Sequence, residues 1–480
     1  METKAAALNS QLEYSAERQA YWDQMTSYVS RSRWLRRSYR NELTRVYRFL
    51  IPRGSRVLEL GSGNGDLLAA VQPCYGLGID FSTNMTALAR TSHPDLDFRQ
   101  EDAHTFDVDG QFDFVICSDL LNDVWDVQQV LERILAHTHQ GSRVIVNLYS
   151  RLWEWPRHVA ENAGLIPKQL PQNWLTLQDV ENIFYLANFE VIRHWQEVLC
   201  PVEIPILATV LNRYAAKLPG IRALDLTNFL IARPRPTEKS EEPVVSVVVP
   251  ARNEAGNIEQ IFERVPDMGG GTELIFVEGN SSDNTYEAIE AAMKRHPERR
   301  SRLFKQTGKG KGDAVRLGFQ NATGELLMIL DADVTVPPED LSRFYEAWRS
   351  GKGEFVNGVR LVYPMEEEAM RFANLLGNKF FSLAFSWLLS QSVKDTLCGT
   401  KVLSKTHYEV IAANRGYFGQ LDPFGDFDLL FGAAKLNLKI VDLPIRYRER
   451  TYGTTNIQRW RHGVLLFRML WLATRRLKFV

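Results

Sequence analysis

The sequence predicts an α/β protein with two parallel-sheet domains, and three observations carry that prediction. Short, largely apolar runs recur in both halves of the chain, at 56–60, 76–79 and 112–117 and again at 244–249, 274–277 and 326–330. Strands of a parallel sheet, buried on both faces, have this composition. Each run gives way to glycine, serine, proline or acidic residues and then to a stretch with apolar residues at helical spacing, the alternation of βαβ units. Between the halves, residues 233–243 read RPRPTEKSEEP, charged, proline-bearing and free of aliphatic or aromatic side chains, which marks a linker. The expected organisation is a helical cap over 1–55, an α/β domain over 56–233, a linker over 234–243, a second α/β domain over 244–456 and a C-terminal amphipathic helix over 457–480.

Composition bounds the function. A chain of 480 residues exceeds one ordinary core. A hydrophobic content of 45% and a charged content of 24% are those of a soluble globular protein. Lys plus Arg total 57 against 58 Asp plus Glu, so no whole-chain basic surface argues for a nucleic-acid partner. Cys74, Cys117, Cys200 and Cys398 lie far apart with no C-x-x-C, and read as reduced thiols of a cytoplasmic protein. The N-terminal METKAAALNSQLEYSAERQ lacks the apolar centre of a signal peptide. No apolar run reaches the roughly 18 residues of a membrane span. Two shorter segments, 375–389 and 464–480, are apolar and carry Lys or Arg. They read either as core helices or as a pair lying in the membrane interface with basic heads at the phosphates.

In chain order, residues 8–50 carry Tyr21, Trp22, Met25, Tyr28 and then Trp34, Leu35, Tyr39, Leu43 at helical spacing, which predicts one or two capping helices. Arg31, Arg33, Arg36, Arg37 and Arg40 read as a solvated face. The strand at 56–60 runs into Gly61-Ser-Gly63-Asn-Gly65 and a helix at 66–71, a turn that lets a ligand approach the backbone. The strand at 76–79 ends in Asp80, placed to reach ribose hydroxyls. The strand at 98–100 is followed by Asp102, and that at 112–117 by Ser118 and Asp119. Later strands at 141–148, 189–195 and 227–232 and a helix at 177–188 complete the pattern. The dinucleotide fingerprint G-x-G-x-x-G is not met, because the third glycine comes one place early. His104, His137, His139 and His158 are single histidines, none of which is assigned as a base.

This succession resembles the class I S-adenosylmethionine-dependent methyltransferases, whose motif E-x-G-x-G-x-G stands intact at 59–65. The resemblance covers roughly residues 20–233 and implies a Rossmann-like domain that binds S-adenosylmethionine. It implies that the turn of Gly61, Gly63 and Gly65 holds the methionine portion, Asp80 the ribose and Asp102 the adenine, with Glu59 and Ser118 in the same cofactor-binding set.

The second half is organised around residues 308–333, GKGKGDAVRLGFQNATGELLMILDAD. The Gly/Lys run can bring backbone N–H groups and ammonium charge up to phosphates. An amphipathic helix, a turn at Thr323-Gly324 and a buried strand at 326–330 follow, ending in Asp331-Ala-Asp333. Two carboxylates at i and i+2 of a strand point the same way, and the C-terminal edge of such a sheet is where ligands sit. Hard oxygens beside a phosphate loop suit a divalent metal on a nucleotide diphosphate. Pro250-Ala-Arg-Asn253-Glu254 and Glu278-Gly-Asn-Ser-Ser-Asp283-Asn-Thr285 close the two preceding strands.

In this order, P-x-x-N-E, S-x-D-x-T, G-x-G-x-A and D-x-D resemble the family 2 glycosyltransferases of the GT-A fold, and within them the dolichol-phosphate mannosyltransferase-like branch. The resemblance implies that Pro250, Asn253, Glu254, Glu278 and Asp283 surround the nucleoside of a nucleotide sugar. Lys309, Lys311, Asp313 and Asp331 belong to the same donor site, and Asp331 and Asp333 would hold Mg or Mn. Arg360 and Arg371 match arginines that meet an acceptor phosphate, residues 394–399 match a D-x-x-x-G turn, and Asp428 matches the acid of the helix before the last strand. Arg450 opens a stretch like R-x-x-G-x-S-K, the loop that closes on the donor. The chain departs from the family at Gly279, where a second acid is usual, at Thr335, where a glutamine is common, and at Thr455 and Asn456, which replace Ser and Lys.

Together these readings predict a bifunctional enzyme of cell-envelope glycan or glycolipid synthesis. It would transfer sugar from a nucleotide sugar to a polyprenyl phosphate or related acceptor at the cytoplasmic face of the membrane, and methylate with S-adenosylmethionine. The alternative is a soluble inverting glycosyltransferase with a hydroxyl acceptor, which needs a general base such as Asp428. In that case the first domain modifies the same product or serves as a non-catalytic module.

Overall fold

The computed structural model describes residues 2–31, 33–239, 242–360, 372–417, 425–448, 450, 452 and 459–479. It divides into two compact units, one running up to Pro236 and the other from Thr237 to Lys478. Both are α/β, and each sheet has seven strands.

In the first unit the strands are β1 (Arg56–Leu60), β2 (Tyr75–Asp80), β3 (Asp97–Gln100), β4 (Phe112–Ser118), β5 (Thr138–Tyr149), β6 (Phe189–Glu197) and β7 (Thr227–Pro234), ordered β3-β2-β1-β4-β5-β7-β6. The first five are mutually parallel, while β7 runs antiparallel to both β5 and β6. The sheet is therefore mixed rather than parallel, because a strand that enters between two neighbours from the opposite end must reverse. Leu58, Leu60, Val115, Cys117, Val144 and Val146 bury into one layer and Val57, Ile116 and Ile145 into the other, the period-two alternation of a sheet covered on both faces. The predicted N-terminal helices are Glu2–Arg31 and Arg33–Leu50.

In the second unit β8 (Val245–Ala251), β9 (Thr272–Glu278), β10 (Arg300–Lys305), β11 (Leu326–Ile329), β12 (Phe355–Val359), β13 (Lys401–Ser404) and β14 (Ile440–Pro444) are ordered β10-β9-β8-β11-β13-β12-β14. Among the described strands only β13 is antiparallel to its neighbours, β11 and β12. Val245, Val247 and Val249 face one core layer and Val248 the other. Fully burying a side chain of this size contributes about 1.5–3 kcal/mol.

The two apolar basic segments form helices Phe372–Leu389 and Arg459–Ala473, and each has two faces. Phe381, Phe385 and Leu388 join Leu466 and Met469 in the core. Phe380, Leu383, Val464, Phe467 and Trp471 stay exposed, Leu383 at 74%. Among the described residues no helix is long and apolar enough to cross a membrane. All four cysteines are free.

The helix Lys311–Asn321 lies on β8 through Gly318, where a Cβ would run into Val248 Cγ1. Gly318→Ala gains up to about 1 kcal/mol of helix propensity but overpacks the core at a cost of about 1–3 kcal/mol. The expected outcome is net destabilisation, read as a lower urea midpoint for the second unit's transition with an unchanged m-value.

Candidate functional site

In the first unit the ends of β1 and β2 are tied together by the glycine turn. Gly61 and Ser62 both donate to Ile79 O, at 2.8 and 3.1 Å, so the turn is pinned to β2. Gly61, Gly63 and Gly65 take φ of 69°, 52° and 78°, the left-handed region in which glycine alone is unstrained. A Cβ on Gly63 would meet no protein atom within 4 Å, which leaves the backbone open to a ligand. Asp80 Oδ2 accepts from Gly63 N at 2.8 Å and Oδ1 from Ser82 N at 2.9 Å. Burial pushes the Asp80 carboxyl up to about 6, against those two backbone donors. Glu59 is buried and pushed well above the ordinary carboxylate range by that burial. Asp102 Oδ1 accepts from His104 N at 2.8 Å and faces His104 Nδ1 at 2.5 Å. Burial opposes ionisation of Asp102, but the His104 hydrogen bonds outweigh it and hold the pKa low. Ser118 stands at the end of β4, opposite Asn147.

The N-terminal helix contributes residues that sequence reasoning gave no role. Ser15 Oγ donates to Asp102 Oδ2 at 3.3 Å, and Asp23 Oδ1 accepts from Ser82 Oγ at 2.5 Å and Asn84 N at 3.1 Å. Arg18, almost fully buried, pairs with Asp123 Oδ1 at 3.0 Å, and Trp22 Nε1 donates to Asp123 Oδ2 at 2.6 Å. Amphipathic spacing shows that such a helix packs but not on which strand ends it packs.

In the second unit charge converges on the C-terminal edge of β8, β9 and β11. Lys311 Nζ lies 2.6 Å from Asp331 Oδ1 and 4.0 Å from Asp426 Oδ1. Burial works against the Lys311 ammonium, but Asp331 and then Asp426 outweigh it and raise its pKa above the ordinary lysine value. Arg450 spans two acids, with Nη1 2.9 Å from Glu254 Oε1 and Nη2 2.6 Å from Asp333 Oδ2. Burial pushes Glu254 up to about 7 despite Arg450, with Asp333 adding to the rise. Tyr452 OH reaches Asp283 Oδ2 at 3.5 Å, and Asp283 Oδ1 accepts from Thr285 N at 3.1 Å. Asn253 Oδ1 accepts from Ser282 N at 2.8 Å, and Glu278, buried, accepts from Ser281 N at 2.5 Å. Asp313 Oδ2 takes Gln306 Nε2 at 2.9 Å, which orders the lysine loop, and Lys309 lies on that loop's exposed side. Pro250 is in β8 beside Val277.

The structure brings Glu254, Asp283, Lys311, Asp331, Asp333 and Arg450 to one edge. Four of the expected residues, Asp331, Asp333, Asp428 and Arg360, have partners that the sequence did not show. Asp331 and Asp333 do not extend β11, which stops at Ile329. They sit in a turn in which Val334 N donates to Asp331 O at 3.2 Å, so their carboxylates meet different cations instead of pointing one way. Asp428 lies 2.6 Å from Arg415 Nε and 3.7 Å from Arg316 Nη2, while Asp426 faces Lys311. Residues two apart on a helix differ by about 200° around its axis, so only one of this pair can look into the site. Arg360 is partly buried and forms a bidentate pair with Asp395, at 2.7 and 2.9 Å. Arg371, Thr455 and Asn456 lie outside the described residues. The D-x-x-x-G turn explains itself through Gly399, since a Cβ there would collide with the Asp331 carboxylate and the Lys311 ammonium.

The first unit thus holds a glycine turn with an acid on the next strand, and the second a lysine loop facing a pair of aspartates. Residues 32–194 match the family model described as Methyltransferase domain, and residues 246–409 match Glycosyl transferase family 2. The chain therefore carries a methyltransferase domain followed by a family 2 glycosyltransferase domain. A dolichol-phosphate mannosyltransferase of Pyrococcus furiosus is 28% identical over 219 residues, 45% of this chain and 59% of that protein. An undecaprenyl-phosphate 4-deoxy-4-formamido-L-arabinose transferase of Pseudomonas aeruginosa is 30% identical over 176 residues, 36% of this chain and 50% of that protein. The chain thus spans about half the length of these relatives. Among solved structures, an S-adenosylmethionine-dependent methyltransferase of Thermotoga maritima aligns with 45% of this chain and 98% of its own, at 15% identity and a TM-score of 0.36. A glucosyl-3-phosphoglycerate synthase of Mycobacterium tuberculosis aligns with 49% and 80%, at 17% identity and a TM-score of 0.36.

Gly399→Ala should leave far-UV circular dichroism unchanged but displace the Lys311–Asp331 pair. At the usual overpacking cost of about 1–3 kcal/mol, affinity for a nucleoside-diphosphate sugar should fall roughly tenfold to a hundredfold. Calorimetric titration of the folded variant checks this.

Proposed function

We propose that the second domain transfers a sugar from a nucleoside diphosphate to a polyprenyl phosphate at a membrane surface, and that the first domain methylates with S-adenosylmethionine in the same glycan or glycolipid synthesis. The observation that carries the first reading is the set of alternating charges at the sheet edge, Lys311 on Asp331 and Arg450 on Asp333 and Glu254. An incoming diphosphate offers both cations anionic oxygens and frees both aspartates for a divalent ion. Among the described residues no three His, Cys, Asp or Glu side chains are grouped to hold a metal. Two carboxylates with the rest of the shell from phosphate and water is nevertheless the usual way Mg²⁺ is held, so the hard-oxygen pair fits Mg or Mn. Such an ion acts as a Lewis acid on the departing diphosphate. Lys311 adds a fixed cation at the same leaving group. Pro250, Asn253, Glu254, Glu278 and Asp283 are left to hold the nucleoside.

The lipid-phosphate acceptor is supported by the names of the relatives and by the chemistry. A phosphate monoester is an anion at neutral pH, its second pKa being about 6. It attacks the anomeric carbon without first giving up a proton. Asp428, the residue best suited by sequence to be a base for a hydroxyl acceptor, is instead held between Arg415 and Arg316. The membrane surface is supported by the outer faces of helices Phe372–Leu389 and Arg459–Ala473. The Phe380 and Phe467 rings lie 5.7 Å apart there, and Leu383, Val464 and Trp471 are exposed on the same helices. Arg468, Arg475 and Lys379 are exposed on the same helices or their continuation, a pattern that fits an anionic lipid interface. In the first domain, the open backbone at Gly63 and the buried acceptor Asp80 support S-adenosylmethionine as the ligand.

Asp331→Asn or Asp333→Asn should abolish sugar transfer to a polyprenyl phosphate while S-adenosylmethionine binding persists, and EDTA should reproduce that loss in the wild type. Undiminished transfer in EDTA by an active Asp333→Asn enzyme is the result that sinks the metal reading. Leu383→Glu combined with Trp471→Glu removes two apolar contacts of about 1.5–3 kcal/mol each. It should weaken binding to anionic vesicles more than tenfold in a sedimentation assay and leave nucleotide-sugar affinity unchanged.

A further inference from the structure

β4 is followed by Asp119, whose backbone sits at φ 54°, in the left-handed region that costs a non-glycine residue energy. Its carboxylate is held by an array of neutral donors. Asn147 Nδ2 donates to Oδ1 at 2.6 Å, Tyr39 OH lies 2.9 Å from Oδ1 and 3.1 Å from Oδ2, and Tyr149 OH lies 3.5 Å from Oδ2. A further layer fixes those donors. Thr227 Oγ1 donates to Tyr39 OH at 3.1 Å, and Tyr47 OH donates to Asn147 Oδ1 at 2.7 Å. The Tyr39 and Tyr149 rings stand 6.1 Å apart at 30°, and Arg157 covers Tyr149 at 4.7 Å.

The position matters as much as the network. In the β1–β4 register Leu60 faces Cys117, which puts Gly61 opposite Ser118 and Asp119 one residue further along the same edge. Leu120 packs on that turn, since a Cβ on Gly61 would lie 3.0 Å from Leu120 Cδ1. A neutral asparagine oxygen could accept from Asn147 and Tyr39 without the cost of desolvating a charge, but only a carboxylate accepts at both positions, from Tyr149 as well. Two costs are therefore met at one residue, a strained backbone and a desolvated anion, beside the turn assigned to the methionine portion of the cofactor.

We propose that Asp119, oriented by Tyr39, Tyr149 and Asn147, is the proton-accepting centre of a methyl-acceptor site for a hydroxyl or amine, and that its charge excludes carboxylate and phosphate oxyanions. This rests on the S-adenosylmethionine reading of the first domain. The acceptor's oxygen or nitrogen forms its bond to the methyl carbon as the carbon–sulfur bond breaks with both electrons going to sulfur, and the acceptor's proton passes to a carboxylate oxygen of Asp119. Charge balances, because sulfonium plus carboxylate become thioether plus carboxylic acid. Burial pushes Asp119 up to about 6, opposed by the Tyr39 hydrogen bond and by Arg157, Tyr149 and Arg40. A carboxyl must be deprotonated to accept a proton, so the site functions above that value and is lost as pH falls through it.

The test needs no acceptor. S-adenosylmethionine carries a sulfonium charge that S-adenosylhomocysteine lacks, and both use Asp80 alike, so the ratio of their affinities isolates the charge at the methyl end. With full-length protein titrated from about pH 5 to about pH 8, the preference for the sulfonium should rise roughly tenfold through a midpoint near 6. Asp119→Asn should make the ratio flat while both ligands still bind. Tyr39→Phe, which removes a donor to the carboxylate, should move the midpoint upward. It also serves as the deciding variant if Asp119→Asn does not fold. A flat wild-type ratio, or a step that survives in Asp119→Asn, overturns the assignment of Asp119 while leaving the cofactor in place. Failure of both ligands to bind at any pH overturns the cofactor reading and this inference together.

Discussion

The ammonium of Lys311 is the charge on which the second domain's sheet edge depends. It sits between Asp331 and Asp426, from two different elements, and Gly399 closes against it with no room for a methyl group. Three segments distant in sequence are thereby held to one point. The carboxylates outweigh the desolvation of this partly exposed lysine, and they in turn would be costly to leave unpaired. The pair is at once a structural clamp and a preformed place for an anion to exchange with.

The acids closest to each strand edge are held in opposite ways. In the second domain Asp331, Asp333 and Glu254 are matched to cations, Lys311 for the first and Arg450 for the other two. In the first, Asp80 and Asp119 are satisfied by neutral donors, backbone N–H groups for one and phenols and an amide for the other. Anions held by neutral dipoles keep their net negative potential, which suits a cationic ligand. Anions already neutralised by lysine and arginine leave a site that can turn either sign outward, which suits a phosphate with its metal.

Much of the architecture was legible because the strands are apolar runs closed by turn residues. The runs at 244–249, 274–277 and 326–330 fall on β8, β9 and β11, and the 59–65 motif falls at the end of β1. Strand direction was not legible. β7 reads like its neighbours although it is antiparallel, and β13 is four residues long with Lys401 buried in it, so no apolar pattern announced it. Residues that one motif carries are found together, as Gly61, Gly63 and Gly65 are in one turn. Asp426, which faces Lys311, was not singled out because a string of letters does not show which side of a helix faces inward. The pairing of Arg360 with Asp395 was not legible, because Asp395 lies 35 positions away and nothing local links the two. The contacts of Ser15, Asp23 and Tyr39 with the first sheet's edge are tertiary, and nothing local in the sequence encodes them.

Arg450 is bonded to both Glu254 and Asp333. One guanidinium therefore serves as the counter-ion for two acids at this edge. Under the proposed function, binding here would be an exchange of partners rather than the filling of a void, with Arg450 released from one set of contacts and offered another. Donor affinity would then be a difference between two sets of ion pairs, and the arginine would have contacts to return to when a product diphosphate leaves.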